Sequence, residues 1–210
     1  MIGTTRKFTT ASAFVLAVAG AGVANAQDGG PWYVKGFGGF TFPQNDATTL
    51  NTPVGTAAGT IDYDTGYALG ASAGYTLTPN IAVELEYAYR QADLKNDVSG
   101  DTNSNAVMLN GLYKFNPMGA TGAWQPYVGG GIGWANIDVS TDNFGSFTRN
   151  DALAYQIIGG VSYAVSPQWN LLGEVRWFGT DNKSASGDND VSFDVEYNTV
   201  DVLVGAAYNF

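Results

Sequence analysis

From Trp32 onward the chain repeats one local pattern: runs of about ten residues in which apolar and polar side chains alternate, each closed by Gly, Asn, Asp or Pro. Successive side chains of an extended strand point to opposite sides, so period two means strands with two unlike faces. Eight runs are predicted as strands: Trp32–Phe42, Thr65–Leu77, Ile81–Asp93, Asn105–Asn116, Gln125–Ser140, Asp151–Val165, Trp169–Thr180 and Glu196–Phe210. In the third, Ile81, Val83, Leu85, Tyr87 and Tyr89 share one face and Glu84, Glu86 and Arg90 the other. In the seventh, Trp169, Leu171, Val175 and Trp177 oppose Asn170, Glu174 and Arg176. A helix would scatter these charges around its circumference.

The connections alternate in length. Thr78-Pro79-Asn80, Pro117–Trp124 and Ser166-Pro167-Gln168 are the shorter ones, whereas 43–64, 94–104, 141–150 and 181–194 are longer and hold much of the acidic charge. An even strand count with short turns at one end and long loops at the other is the layout of an outer-membrane barrel, with both termini on the short-turn, periplasmic side.

The N-terminus fits that destination. Arg6 and Lys7 precede an uncharged run of 13 residues, Ala11–Val23, and then Ala24-Asn25-Ala26. This is the pattern of a secretory signal peptide, and the run is too short for the ~20 residues of a membrane anchor. The expected division is a signal peptide over 1–26 and a barrel domain over 27–210. Removing both leader bases leaves the mature chain with seven basic and 19 acidic side chains, net −12.

Period alone cannot say which face meets what. A soluble barrel or sandwich turns its apolar face inward, and a membrane barrel turns it toward lipid. The positions of the aromatics favour lipid. On the apolar face, Trp32, Tyr75, Tyr113, Phe115, Tyr163, Trp169, Tyr208 and Phe210 cluster toward the short-turn end. Phe40, Phe42, Tyr67, Tyr87, Tyr89, Trp134, Tyr155 and Trp177 cluster toward the long-loop end. Between them lie mostly aliphatic and small residues, such as Val34, Leu69, Val83, Leu109, Ile132, Ile157, Val175 and Val204. Two aromatic girdles around an aliphatic band match the interfaces and hydrocarbon of a bilayer.

The opposite face carries four bases, Lys35, Arg90, Lys114 and Arg176, and four acids, Glu84, Glu86, Glu174 and Asp201. A balanced set is what a narrow lumen needs, because unpaired charge there is costly. Glu84–Lys114 and Arg176–Asp201, on neighbouring strands, are the expected salt bridges. Small inward residues (Gly70, Ser72, Gly74, Gly129, Gly131, Gly133, Gly160, Gly205 and Ala207) would let an eight-stranded lumen fill with side chains.

Over Pro31–Phe210 the sequence resembles the small eight-stranded outer-membrane β-barrel family, namely OmpA-type transmembrane domains and the alphaproteobacterial surface-antigen "porin family". The stretches that carry the resemblance are WYVKGFGGFTF, QPYVGGGIGWA, SYAVSPQWNLLGEVRWFGTD and DVLVGAAYNF. It implies an all-β, eight-stranded antiparallel transmembrane barrel. It also implies that Val202, Val204, Tyr208 and Phe210 form a C-terminal signal for the barrel-assembly machinery. OmpA itself continues into a soluble peptidoglycan-binding domain; this sequence ends at the barrel, so wall anchoring is not carried over.

Chemistry is scarce. With no Cys and no His there is no disulfide, thiolate metal site, imidazole base or Ser-His triad, and the barrel enzymes the resemblance brings in use a His. Glu84 and Glu86 are the best carboxylate pair for a raised pKa, but beside several bases they read as an ion-pair network. GFGGF and GGGIG (Gly129–Gly133) sit inside strands and lack phosphate-loop spacing. The loop acids Asp62, Asp64, Asp97, Asp101, Asp188, Asp190 and Asp194 match no EF-hand loop and read as solvated charge. No catalytic residue, cofactor or metal site is expected, and the acidic balance argues against nucleic acid. The expected partners are outer-membrane lipids, lipopolysaccharide, the assembly machinery with its periplasmic chaperones, and an unnamed host or surface ligand. The expected role is structural or surface-interacting: envelope integrity, adhesion or antigenicity through four acidic loops around a non-conducting lumen. A small diffusion porin and a secreted soluble β protein are the alternatives.

Overall fold

The computed structural model describes residues 30–44, 47–52, 55–60, 64–93, 100–141, 145–181, 183–186, 192–195 and 197–210. The expected export segment, 1–26, lies outside them. Among the described residues twelve strands follow in chain order: β1 (Trp32–Pro43), β2 (Ala47–Thr52), β3 (Gly55–Thr60), β4 (Gly66–Thr78), β5 (Ile81–Asp93), β6 (Gly100–Lys114), β7 (Trp124–Thr141), β8 (Gly145–Ala164), β9 (Trp169–Thr180), β10 (Lys183–Ser186), β11 (Ser192–Val195) and β12 (Asn198–Asn209). Eight of them, in the order β1-β12-β9-β8-β7-β6-β5-β4, close into an antiparallel barrel. Closure leaves no unpaired edge in the wall, which hydrocarbon requires because it offers backbone groups no water. The wall strands have 12 or more residues, above the ~9–11 that cross a bilayer when tilted.

The turn end is tightly tied. Thr78 Oγ1 accepts hydrogen bonds from the backbone N–H of Asn80 (3.3 Å) and Ile81 (3.0 Å), closing the β4–β5 hairpin. Between β6 and β7 the chain turns through Gly119 (φ 88°) and Gly122 (φ 65°), a left-handed geometry that side chains with a Cβ disfavour. The chain ends also meet here: Gly30 N–H donates to the Phe210 carbonyl, and Phe210 N–H to that of Trp32 at 3.1 Å.

The loop end differs from the expectation. β6 begins at Gly100 instead of Asn105 and β8 at Gly145 instead of Asp151, so 141–150 is chiefly the continuation of a hairpin that pairs up to Thr141↔Gly145. The connections 43–64 and 181–194 contribute β2, β3, β10 and β11 to a separate four-stranded sheet, β10-β11-β2-β3. Beyond the bilayer both faces of a strand can meet water, so nothing demands alternation there. ATTLNT, GTAAGT and GSFTRN accordingly carry no period-two signal.

The faces of the wall are inverted relative to a water-soluble barrel. Leu85 is 59% exposed and Val175 54%, whereas Glu84 is 2% and Arg176 0% exposed. Leu85, Leu109, Ile132, Ile157, Val175 and Val204 at the strand centres point out, the ionised side chains converge on the axis, and Met108, Leu112, Ile158, Leu172 and Leu203 fill the interior beside them.

Candidate functional site: a charged lumen

Every wall strand sends alternate residues inward, and the glycines among them receive particular side chains. Tyr33 stands opposite Gly74, Phe37 between Gly70 and Gly205, and Tyr127 opposite Gly160. A Cβ on Gly74 would lie 2.1 Å from Tyr33 Cζ, on Gly70 2.6 Å from Phe37 Cζ, and on Gly160 2.5 Å from Tyr127 Cζ. The small residues are therefore notches for large ones, and the lumen fills.

Seven of the eight expected lumen charges are buried, and they form two groups. In the first, Lys35 Nζ donates to Glu84 Oε2 (2.7 Å) and Glu174 Oε1 (3.1 Å), and Arg176 bridges Glu86 Oε1 (2.8 Å) and Glu174 Oε2. Neutral donors complete it. Tyr33 OH reaches Glu84 (2.8 Å), Tyr127 OH reaches Glu174 (2.7 Å), and the Asn110 and Gln156 amides each reach Glu86 (3.1 Å). This group draws on β1, β5, β6, β7, β8 and β9, so it spans the bore from wall to wall. Its three acids and two bases leave it one negative charge. The second group is neutral: Arg90 Nε meets Asp201 Oδ2 at 2.8 Å, and the hydroxyls of Thr41 (2.6 Å) and Thr199 (3.0 Å) donate to Asp201 Oδ1. Both guanidiniums stack on inward rings, Arg176 4.1 Å from the Phe37 centroid and Arg90 4.0 Å from that of Phe178.

Two expected pairings are corrected. Lys114 does not bridge to Glu84. Glu84 is in register with Asn110, four residues of strand (~13 Å) from Lys114, so Lys114 Nζ instead donates to Thr76 Oγ1 at 3.2 Å. Arg176 and Asp201 are direct register partners, yet they do not pair. In so narrow a bore a long side chain gains more by crossing it, so Arg176 reaches Glu86 on the far wall and Arg90 takes Asp201. The inward Tyr33, Phe37, Asn110, Tyr127, Gln156 and Phe178 were missed as site residues. Their phase along the strands with Lys35, Lys114, Gly129, Gly160 and Glu174 was the available signal.

The aromatic side chains ring the outer wall in two zones. At the turn end Trp32–Tyr75, Trp169–Tyr208, Tyr113–Phe115 and Trp124–Tyr163 pack with ring centroids 4.7–5.2 Å apart. At the loop end Tyr67–Tyr89 and Tyr155–Trp177 pair at 6.1 and 5.5 Å, and Phe40 and Trp134 project outward. There Tyr67 OH donates to Gln91, Tyr87 OH to Asn105 and Tyr89 OH to Asn103, each at 2.7 Å, which is how an interfacial Tyr keeps its polar tip satisfied. Val202, Val204 and Phe210 lie exposed on the same outer surface, and Tyr208 is half-buried there.

No group of three or more metal-ligating side chains gathers among the described residues. Asp64 is exposed, and the other loop acids fall on residues or side chains outside the described ones.

The family of outer membrane protein beta-barrel domains matches residues 11–210. The chain belongs to it. Solved structures with the same fold include OprG from Pseudomonas aeruginosa, at TM-score 0.57 and 21% identity over 87% of this chain and 97% of that one. Neisserial surface protein A superimposes at 0.54 with 16% identity (88% and 100%). Escherichia coli outer membrane protein W does so at 0.50 with 20% (88% and 100%). No curated protein matches the chain significantly. The chain is thus an outer-membrane β-barrel, crossing with strands and filled by an ion-pair network.

Proposed function

We propose that this outer-membrane barrel has a structural and surface-interaction role, and that its lumen does not conduct. The observation that supports a closed bore is the Lys35–Glu84–Glu174–Arg176–Glu86 group, which joins opposite walls through side chains at most 4% exposed. A diffusion pore would require these buried pairs to part, at several kcal/mol for each uncompensated charge. The residues supply no His or Cys for covalent or acid–base chemistry, and every lumen carboxylate is engaged by a base.

In this reading the leader exports the chain, both mature ends face the periplasm, and Val202, Val204, Tyr208 and Phe210 are read by the assembly machinery after chaperone delivery. Lipid and lipopolysaccharide surround the girdles. The raised β7–β8 hairpin and the small β10-β11-β2-β3 sheet stand on the cell-surface side. That folded, acidic platform is suited to contact with a host or neighbouring surface, as an adhesin, antigen or envelope-stabilising element. The deciding experiment is planar-bilayer recording of the purified, refolded protein. No steady current is expected; a sustained, ion-selective conductance would replace this reading with the pore.

A further inference from the structure

We infer that the turn-end mouth of the lumen is a binding site for a small organic monocarboxylate, held by Lys114. A cavity of about 180 Å³ opens there, with room for about six waters. Its rim is polar and half-buried, and Leu112, Leu172 and Ala207 form an apolar side wall deeper in. The floor is saturated: Lys35 is bound to Glu84, Tyr33 OH to Glu84, and Tyr127 OH to Glu174. Lys114 is not saturated. Among the described residues it is the one lumen base with no carboxylate within 4 Å, and its ammonium has a single hydrogen bond, to Thr76, beside the Tyr33 ring face at 5.2 Å. Two N–H donors of a half-buried cation therefore remain for a ligand, next to an apolar wall.

That combination selects a compact anionic head with a short apolar tail. A dianion is disfavoured because Glu84 lies at the floor, and inorganic phosphate leaves Leu112 and Leu172 uncovered. The site belongs to the barrel wall itself, so it does not depend on the surface role proposed above.

The test uses the full chain in micelles with methyl-labelled leucines, titrated with butyrate and, separately, with butyramide, phosphate and sodium chloride. Saturable shifts of the Leu112 and Leu172 methyls are expected with butyrate. Affinity should fall about tenfold for butyramide, and for butyrate in Lys114→Gln, while Lys114→Arg retains it, in keeping with one charge-assisted hydrogen bond. Equal responses to butyrate and butyramide in the unaltered protein would overturn the assignment, as would no saturation or shifts matched by sodium chloride. The butyramide comparison needs no variant to fold.

Discussion

Replacing Arg176 by Met removes the cation that ties two walls of the lumen together. Arg176 has no solvent exposure, and its guanidinium is the contact between Glu86 and Glu174. Without it Glu174 keeps Lys35 and Tyr127, and Glu86 keeps only the neutral Asn110 and Gln156 amides. The buried group then has three acids against one base, and its net charge moves from −1 to −2. Breaking a buried pair by deleting one partner costs about 3–5 kcal/mol, mostly from the charge left behind. Met fills similar length, so packing loss against Phe37 should add little. Arg176→Met/Glu86→Gln returns the group to −1 and should recover at least about 1 kcal/mol relative to the sum of the single losses. Urea unfolding of protein refolded into lipid vesicles, followed by heat-modifiable gel mobility, gives all four corners of the cycle. A cost below about 1 kcal/mol for Arg176→Met, or strict additivity, would refute the claim that this network ties the walls of the lumen together.

Glycines divide by face. Gly133→Ala puts a Cβ 2.0 Å from the Val107 carbonyl oxygen and should cost about 1–3 kcal/mol, whereas Gly36→Ala meets nothing within 4 Å and should stay within about 0.5 kcal/mol, both read from urea midpoints. Val204→Lys on the outer wall should destabilise by about 2–4 kcal/mol in vesicles, the opposite of what a water-facing site would show. All five tryptophans lie on the outer face in the girdles, so brominated lipids should quench their emission most near the headgroups and least at the bilayer centre.

The barrel was legible because its wall must obey a strict alternation. Ile81–Asp93 and Trp169–Thr180 were placed to the residue, since one face of each is apolar and the other carries its charges. Strand ends beyond the bilayer were not legible. Gly100–Ser104 is polar on both sides and Gly145–Asn150 carries only Phe147 as an apolar side chain, so they look like loops although their backbones pair. In the lumen, membership of the charged set followed from phase, but partner choice did not. Arg176 and Asp201 face each other in register and still bind elsewhere, because pairing across a bore depends on reach and curvature, which a one-dimensional pattern lacks. The notch role of Gly74 and Gly160 depends on cross-strand register in the same way.

The inverted wall is tested most directly by site-directed spin labelling, made clean by the absence of native cysteine. Nitroxides on Leu85→Cys, Ile132→Cys and Val175→Cys in vesicles should be relaxed strongly by oxygen and weakly by a water-soluble nickel chelate. Strong relaxation by the chelate and weak relaxation by oxygen at these three positions would place them in water and contradict the account.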